Sequence, residues 1–403
     1  MAKALGKSSS TTLGFSEATP ASLGYRMPAE WEPHAATWLA WPHNHADWPG
    51  KFEPIAWVFA EIIRNLAKHE RVELIVNDAS AARQAHRVLE RADAFSANIR
   101  LHRWPTNRIW LRDSGCIFLT HGQNNYLGPG LRPGRAEQGS AALALKFRFN
   151  AWAKYSNWRH DEKIGSLMAQ TKTPTSRAKN VREMGHPHSR HSHSYPREIH
   201  PISGGERIVL EGGSIDVNGA GTILTTEECL LSNVQERNPH MARVHYEKAF
   251  ADYLGAPHTI WLGRGIFGDD THGHVDDLSR FVSKHTVVTM VEPNSKDVNH
   301  APLQANLRRL QAARDQDGRQ LTVVELPMPQ PVVFEGRRLP ASYANFYIAN
   351  GVVLAPVFNR PNDRIALNTL AELFPTREVV PIYSGDFIWG LGAMHCMTQQ
   401  QPA

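Results

Sequence analysis

One order of secondary structure recurs along this 403-residue chain: a helical pattern followed by a short strand. Apolar residues at helical spacing run through 54–69, and they lead into a strand pattern at 72–76. Three further copies follow, and a weaker one begins near His160. The three copies pair helices at 240–254, 303–313 and 365–374 with strands at 259–262, 321–324 and 379–382. Such repetition restricts the chain to folds that are built from equal units.

Strand pairs are predicted between these units. One pair, at 344–357, turns at Asn350-Gly351, a dipeptide that favours tight hairpins. Another is predicted at 221–231, with its turn around Thr226. Because hairpins separate the helices and no Gly-x-Gly-x-x-Gly follows a strand, a parallel Rossmann sheet is excluded. About five αβ units then favour an α/β propeller, a closed ring with a site at its centre.

Hydrophobic residues make up 41% of the chain and charged residues 21%, a balance typical of a globular protein. No apolar run approaches the roughly 18 residues of a membrane helix, so we expect no membrane partner. A net charge of +5 is compatible with nucleic-acid binding. However, six basic and two acidic residues in 172–200 account for four of those five charges. The remainder is nearly balanced, and we expect no nucleic-acid partner.

The three cysteines, Cys116, Cys229 and Cys396, are too few and too scattered for a disulfide framework. They form no Cys-x-x-Cys pair that would indicate a zinc site. We therefore expect a reducing, cytoplasmic location.

Two segments look unlike the repeated units. Residues 1–23 are rich in small and hydroxylated residues, and we expect a disordered tail ahead of one domain at 24–403. A transit peptide is the alternative. The segment at about 173–205 carries five histidines and four prolines, which predicts a flexible, solvated insert. Imidazoles also bind metals, but fixed ligand pairs on ordered elements are missing from this pattern.

Four sequence islands place carboxylates, His or Cys beside glycine. They supply Asp113, Glu211, the pair His274 and Asp276, and Cys396. If the third island is extended, His274 and Asp276 point to the same face, because strand side chains alternate. Cys396 has a polar setting that core packing does not explain. Taken singly, Asp113 or Glu211 could instead serve a turn.

This inventory is a thiol, an imidazole and several acids, with no metal or cofactor required. An excess of acids suits a cation such as guanidinium, whose fork of N–H donors pairs with carboxylates. Asp113 and Asp276 would bind it, and Cys396 would attack its central carbon. His274 would protonate the departing ammonia and then activate water, with Glu211 supporting it.

Other candidate residues can also be explained by structural roles. Trp110 could belong to the core, or it could lie at the mouth of the site and cover the substrate. His272 and His395 are expected to be structural or supporting residues. Cys116 and Cys229 lie in apparent strands and are expected to be buried.

Together these residues resemble the agmatine deiminase and bacterial-type peptidylarginine deiminase family over 24–403. The motifs that carry the resemblance are Met27-Pro28-Ala29-Glu30-Trp31-Glu32-Pro33-His34, Trp110-Leu111-Arg112-Asp113, Glu211-Gly212-Gly213-Ser214, Gly273-His274-Val275-Asp276, Ala341-Ser342-Tyr343-Ala344-Asn345-Phe346-Tyr347 and His395-Cys396-Met397-Thr398-Gln399-Gln400-Gln401-Pro402. The resemblance implies a five-bladed α/β propeller, no cofactor, and a dimer or higher oligomer.

It also implies roles for single residues. Cys396 would be the nucleophile, His274 the general acid and base, and Asp113 with Asp276 the guanidinium-binding pair. Glu211 would support the histidine. Trp110 would contact the substrate.

Three positions depart from the typical agmatine deiminase pattern: Asp216 replaces a common His, His272 an Asn or Asp, and Ala393 an Asn. The resemblance nevertheless implies hydrolysis of agmatine to N-carbamoylputrescine and ammonia, through a covalent thiouronium, in polyamine synthesis. A peptidylarginine or other guanidine deiminase is the alternative with the same chemistry. A non-catalytic binding module that uses the His-rich insert is the alternative from another class.

Overall fold

A computed structural model describes residues 18–121, 143–171 and 197–403. Its strands are β1 (Tyr25–Arg26), β2 (His34–Ala40), β3 (Arg71–Val76), β4 (Ile99–Arg103), β5 (Ile117–His121), β6 (Leu143–Leu145), β7 (Arg197–Ile199), β8 (Ile202–Ser203), β9 (Glu206–Arg207), β10 (Asp216–Val217), β11 (Thr222–Thr226), β12 (His258–Leu262), β13 (Ser279–Ser283), β14 (Thr286–Val291), β15 (Thr322–Pro327), β16 (Val333–Phe334), β17 (Arg337–Arg338), β18 (Tyr347–Ile348), β19 (Val352–Val357), β20 (Glu378–Tyr383) and β21 (Gln399–Pro402). Its α-helices are α1 (Ile55–Leu66), α2 (Ala79–Arg91), α3 (Leu111–Ser114), α4 (Asp161–Ala169), α5 (Glu227–Leu231), α6 (Arg243–Ala249), α7 (His300–Ala312), α8 (Asp363–Leu373) and α9 (Met394–Met397).

Five mixed sheets in the described ranges share one pattern. An antiparallel strand pair is joined through a helix to a third strand that runs parallel to the second. This order holds for β10-β11-β12, β13-β14-β15 and β18-β19-β20, and β5-β6-β7 repeats it with β1 added at the edge. The predicted α/β class with repeated units is confirmed at this level.

The fifth sheet combines early strands of the chain with its last strand. Strand β21 pairs antiparallel with β2, and β3 and β4 continue the sheet in parallel. The register sets Trp38 opposite Gln399, and the Trp38 indole N–H donates to Gln401 Oε1 at 3.0 Å. The segment just before β21 is thereby fixed in the interior.

Helix α1 shows why the repeated pattern folds as it does. Phe59, Ile62 and Ile63 lie on one face and are fully buried in the largest core cluster. Removing each such side chain from water contributes about 1.5–3 kcal/mol, and this drives the helix onto its sheet. The predicted helix–strand pairs are confirmed, as α1–β3, α6–β12, α7–β15, α8–β20 and α4–β7.

The two hairpin predictions differ in outcome. The pair that turns at Asn350-Gly351 is confirmed, since β18 and β19 run antiparallel. The pair predicted at 221–231 is wrong, because helix α5 follows β11 directly. The Thr226 hydroxyl accepts the Cys229 N–H at 3.0 Å and caps that helix. Cys229 is therefore helical, although buried as expected.

The atypical segments are described only in part. Within the described residues, no helix is long and apolar enough to cross a membrane. Residues 1–17 of the predicted tail and 172–196 of the His-rich segment lie outside the described ranges. The described end of that segment forms β7, which pairs parallel with β6, and β8.

Candidate active site

The candidate site is a cavity of about 440 Å³ lined by Cys396, Asp113 and Trp110. Each of the five units contributes a side chain from the same place, the short turn just ahead of its first strand. The contributors, in the order β5, β10, β13, β18 and β21, are Asp113, Glu211, His274 with Asp276, Asn345, and Cys396. Equivalent positions in five units thus bring together residues that are far apart in sequence.

Four of these five turns contain a short helix, and the turn that carries Asn345 does not. Asp113 lies in α3, before β5. The condition considered for His274 and Asp276, an extended chain, is not met, because Val275–Asp277 forms a 3-10 turn. Both side chains nevertheless face each other, with 3.9 Å between His274 Nδ1 and Asp276 Oδ1.

His274 lies between three carboxylates. Its Nδ1 is 3.9 Å from Asp113 Oδ2, and its Nε2 is 3.7 Å from Glu211 Oε2. The ring is fully buried, and neither nitrogen has a hydrogen-bond partner among the described residues. Burial opposes a charge, but Asp113, Cys229 and Glu211 raise the pKa of His274 well above its usual value. The resting histidine is therefore an imidazolium that can donate a proton.

Glu211 is fixed by an arginine that the sequence did not single out. Arg237 Nε donates to Glu211 Oε1 at 3.1 Å, and both side chains are fully buried. Burial alone would raise the pKa of Glu211, but Arg237 and His274 lower it to about 2. Glu211 thus remains a carboxylate beside His274.

Asp113 has a tuned environment. Its Oδ1 accepts from the Gly213 N–H at 3.0 Å, and its Oδ2 accepts from the Trp152 indole at 2.9 Å. Burial raises the pKa of Asp113 to about 6, and nearby Glu211 adds to the shift while His274 opposes it. Near neutral pH Asp113 is mostly ionised, as cation binding requires.

Asp276 is oriented by a histidine. His395 Nδ1 lies 2.7 Å from Asp276 Oδ2, and His395 Nε2 lies 2.9 Å from Glu30 Oε2. Despite burial, His395 and His274 hold the pKa of Asp276 below its usual value. The other oxygen, Asp276 Oδ1, is buried without a hydrogen-bond partner in the described part of the chain. That oxygen can accept an N–H from a bound guanidinium.

Glu30, on the far side of His395, is held by two arginines. Arg112 donates to it at 3.0 Å and Arg280 at 2.9 Å, and all of these side chains are buried. Arg280 also contacts Asp216 at 3.3 Å, so this departure from the family pattern joins the ion network rather than the cavity.

Cys396 lies at the meeting point of these groups. Its Sγ is 3.1 Å from Asn345 Nδ2 and 3.6 Å from Asp276 Oδ2. Burial raises the pKa of the Cys396 thiol well above its usual range, and Asp276 and Asp277 raise it further. The empty site therefore holds a thiol. A cation bound among these carboxylates would favour the thiolate.

Asn345 belongs to one of the motifs that carry the family resemblance, but no role was predicted for it from the sequence. Its Oδ1 accepts the backbone N–H groups of His395 at 3.0 Å and Cys396 at 3.3 Å. Its Nδ2 donates to Asp277 Oδ1 at 2.9 Å as well as to the sulfur. One amide thus fixes both the backbone and the side chain of Cys396. Its place ahead of β18 is the signal that could have identified it.

Trp110 fits both of its sequence interpretations. It is 7% exposed and packs against Trp48 and Phe387, yet it lines the cavity with Cys396. His272 does not line that cavity, and its Nε2 instead lies 3.1 Å from Ser232 Oγ.

Two groups of described residues could hold a metal ion. Ligand atoms of Glu211, Cys229 and His274 lie within 4.8 Å of one another, and a surface group contains His285 and Asp315. In the first group Glu211 is already paired with Arg237, and the raised pKa of His274 favours a proton over a metal ion. The arrangement suits proton transfer.

A family model described as Porphyromonas-type peptidyl-arginine deiminase matches residues 26–402. The chain belongs to the Porphyromonas-type peptidyl-arginine deiminase family. Membership in this family confirms the resemblance that the motifs predicted. The match to the family model covers nearly the whole chain.

Several curated relatives and solved structures that resemble the chain are named agmatine deiminase. The agmatine deiminase of Pseudomonas aeruginosa (strain UCBPP-PA14) is 33% identical over 408 residues, covering 96% of this chain and 97% of that protein. That of Stutzerimonas stutzeri (strain A1501) is also 33% identical over 408 residues, with the same shares covered. The solved agmatine deiminase of Enterococcus faecalis has a TM-score of 0.79 at 26% identity, covering 96% of this chain and 98% of that one. A substrate-bound C. jejuni agmatine deiminase has a TM-score of 0.75 at 26% identity, covering 94% and 96%.

Proposed function

We propose that this enzyme hydrolyses agmatine to N-carbamoylputrescine and ammonia, a step of polyamine synthesis. The observation that carries the proposal is the position of Cys396 Sγ in a cavity it shares with Asp113, 3.6 Å from Asp276. A buried thiol among carboxylates suits a planar cation with an electrophilic carbon. The agmatine deiminases that resemble the chain over almost its full length support the substrate.

Binding is the first step of the mechanism. Asp113 and Asp276 accept N–H groups from the guanidinium, and Asp276 Oδ1 is available for this contact. The bound cation offsets the carboxylates that raise the pKa of Cys396, so the thiol releases its proton to solvent when substrate is present, since His274 is already protonated. Binding thus activates the nucleophile.

Covalent attack follows. The Cys396 thiolate adds to the central carbon and forms a tetrahedral adduct. The His274 imidazolium protonates one NH2 group, which leaves as ammonia when its C–N bond breaks. A thiouronium on sulfur remains, and His274 is now neutral.

Hydrolysis completes the cycle. Neutral His274 takes a proton from a water molecule, whose oxygen adds to the thiouronium carbon. Collapse of this second adduct breaks the C–S bond, and the hydroxyl proton of the adduct passes to sulfur. N-carbamoylputrescine is released and the Cys396 thiol is restored. Glu211, held by Arg237, stabilises the imidazolium in both halves of the cycle.

We also infer that the five sheets close into a five-bladed propeller. Five similar units support a ring, because β21 of the last unit pairs with the early strand β2, and so do site residues at equivalent positions in all five units. A cytoplasmic location is inferred from the thiol chemistry, since Cys396 must stay reduced. A dimer or higher oligomer stays a prediction from the family resemblance.

Ammonia release tests the proposed function. Purified wild-type protein and Cys396→Ser are given agmatine, free arginine and a blocked arginine peptide at equal concentration. The proposal expects release from agmatine that depends on Cys396. Preference for the peptide would keep the chemistry and replace the substrate, whereas no release from any guanidine would support the binding-module alternative.

A further inference from the structure

Asp47 lines the cavity that contains Cys396, and one of its carboxylate oxygens has no hydrogen-bond partner in the described part of the chain. It ends the 3-10 turn His45–Asp47, and its side chain is 10% exposed. Asp47 Oδ1 accepts from Asn44 Nδ2 at 2.9 Å. Asp47 Oδ2 is buried and has no hydrogen-bond partner among residues 18–121, 143–171 and 197–403. A buried carboxylate oxygen without a partner is costly, so it points to a missing donor.

Asp47 and a second buried carboxylate depend on the charge of one arginine. Arg108 Nε lies 3.9 Å from Asp47 Oδ1, but the other two Arg108 nitrogens donate to Asn157 at 2.8 Å. Asp161 shares this cation, and its Oδ1 accepts the Arg108 backbone N–H at 3.3 Å. Two buried carboxylates therefore face one guanidinium. Burial raises the pKa of each carboxylate to about 7, which a bound cation would reverse.

The other charged groups at the cavity are less suited to bind a ligand. Both oxygens of Asp270 are engaged, one by Lys154 and one by the Tyr155 hydroxyl at 2.7 Å. Arg337 is exposed at the rim.

The remaining wall of the cavity suits an alkyl chain. Large apolar and aromatic side chains line it together with Asp47 and Cys396. They are Trp110, Trp152, Tyr155, Trp389 and Leu391. Such a wall can cover methylene groups, while the two polar ends of the ligand meet the carboxylates.

We propose that Asp47 binds a primary ammonium at the far end of the guanidine substrate. The site then selects guanidines with a cationic tail over those with a neutral or anionic tail. This inference rests on the proposed function and names the residue that reads the substrate's amine.

The test compares agmatine with 1-butylguanidine, which has a tail of equal length without the ammonium. For Asp47→Asn we expect kcat/KM with agmatine to fall by about 10–100-fold, mostly through KM, since a charged hydrogen bond is lost. With 1-butylguanidine kcat/KM should stay within about 2-fold of wild type, because the lost contact is not used. Equal losses on both substrates would contradict the proposal, as would no loss on either.

Matched variants separate the alternatives. Asp252→Asn removes a surface carboxylate that pairs with Lys248, and it should match wild type on both substrates. If Asp270→Asn selectively weakens agmatine while Asp47→Asn does not, Asp47 is the wrong residue. Thermal melts of each variant check folding.

A binding measurement keeps the subsite independent of turnover. Calorimetry on Cys396→Ser, with and without Asp47→Asn, should show agmatine losing affinity and 1-butylguanidine unchanged. If wild-type protein releases ammonia from neither guanidine, the proposed function fails, and this titration still decides the role of Asp47.

Discussion

At the scale of single residues, the site surrounds one imidazole with three carboxylates that differ in pKa. Glu211 has a pKa of about 2 because Arg237 and His274 outweigh its burial. Among the described residues Asp113 has no arginine partner, and burial raises its pKa to about 6 although His274 opposes the shift. Asp113 is therefore the carboxylate whose ionisation is expected to limit activity in mild acid.

The pH profile should report Asp113. Protonation below about pH 6 removes a guanidinium ligand, so kcat/KM should fall as the pH decreases through that value. Trp152→Phe removes the indole donor that favours the carboxylate, which should move this acid limb to higher pH. The measurement is kcat/KM against pH from ammonia release.

Trp41→Phe is the matched control, since the Trp41 indole is buried without a hydrogen-bond partner in the described part of the chain. It should leave the limb in place. A limb that moves to lower pH in Trp152→Phe would contradict the assignment.

Asn345 gives a second prediction at this scale. Asn345→Ala removes the N–H that lies 3.1 Å from the sulfur and the acceptor that fixes the Cys396 backbone. We expect kcat to fall by about 10²-fold, as when one donor to a reacting anion is deleted. Alkylation of Cys396 by iodoacetamide should also slow at a given pH, because the thiolate loses a donor.

Asn65→Ala serves as the control, since Asn65 contacts Glu61 on α1 and lies outside the cavity. Wild-type kcat and alkylation rate in Asn345→Ala would exclude a role for the amide in positioning the sulfur.

The candidate reactive residues could be recognised from the sequence more readily than the residues that support them. Cys, His and acids beside glycine signal chemistry, and the structure brings Cys396, His274, Asp113, Asp276 and Glu211 together. The supporting residues Asn345, Trp152 and Arg237 have types that are common everywhere. Each of them lies 26 to 51 residues along the chain from the site residue that it contacts, so no local pattern marks it.

At the scale of elements, short turns ahead of the strands set the geometry of the site. Gly213, in the turn Gly212–Ser214, donates its N–H to Asp113 at 3.0 Å. A Cβ at this glycine would lie 2.5 Å from His274 Nδ1 and 2.9 Å from Asp276 Oδ2. The turn needs glycine because three catalytic candidates crowd against its backbone.

Gly213→Ala should therefore displace the catalytic side chains. We expect kcat/KM for agmatine to fall by about 10²-fold or more, since a displacement of about 1 Å has such an effect. Gly263→Ala is the control, because the nearest atom to its Cβ would be at 3.4 Å. Full activity of a folded Gly213→Ala protein would show that the turn tolerates a side chain.

Helices and strands were predicted correctly where the hydrophobic pattern was long. The prediction failed where a helix cap or a very short strand determines the local structure. The α1 pattern spans three turns and buries one whole face. At 221–231 the cap at Thr226 changes a strand into a helix, and the true partner of β11 is the two-residue strand β10. A two-residue strand carries too little alternation to be recognised from sequence.

At the scale of the whole molecule, a strand near the C-terminus pairs with an early strand of the chain and thereby fixes the candidate nucleophile. Cys396 lies on α9 directly before β21, whose partner β2 begins at His34. The repeated units were predictable because each is local. The pairing of β21 with β2 was not, because register between distant segments leaves no mark on either one.

Deleting residues 399–403 should consequently disrupt both folding and function. The buried residues of β21 and their pairing with β2 are lost, so the free energy of unfolding should fall by more than about 3 kcal/mol. Urea unfolding and ammonia release measure the two effects. Deleting Ala403 alone removes an exposed residue and should be close to neutral. An active, stable protein without β21 would refute this role of the strand.

Covalent catalysis by Cys396 is tested by the intact mass of the protein, quenched in acid during steady-state turnover of agmatine. We expect a species heavier by the mass of agmatine less one ammonia, with the added group on the peptide that contains Cys396. Cys396→Ser should show neither the adduct nor turnover. Turnover by Cys396→Ser, or an adduct on another residue, would contradict the mechanism.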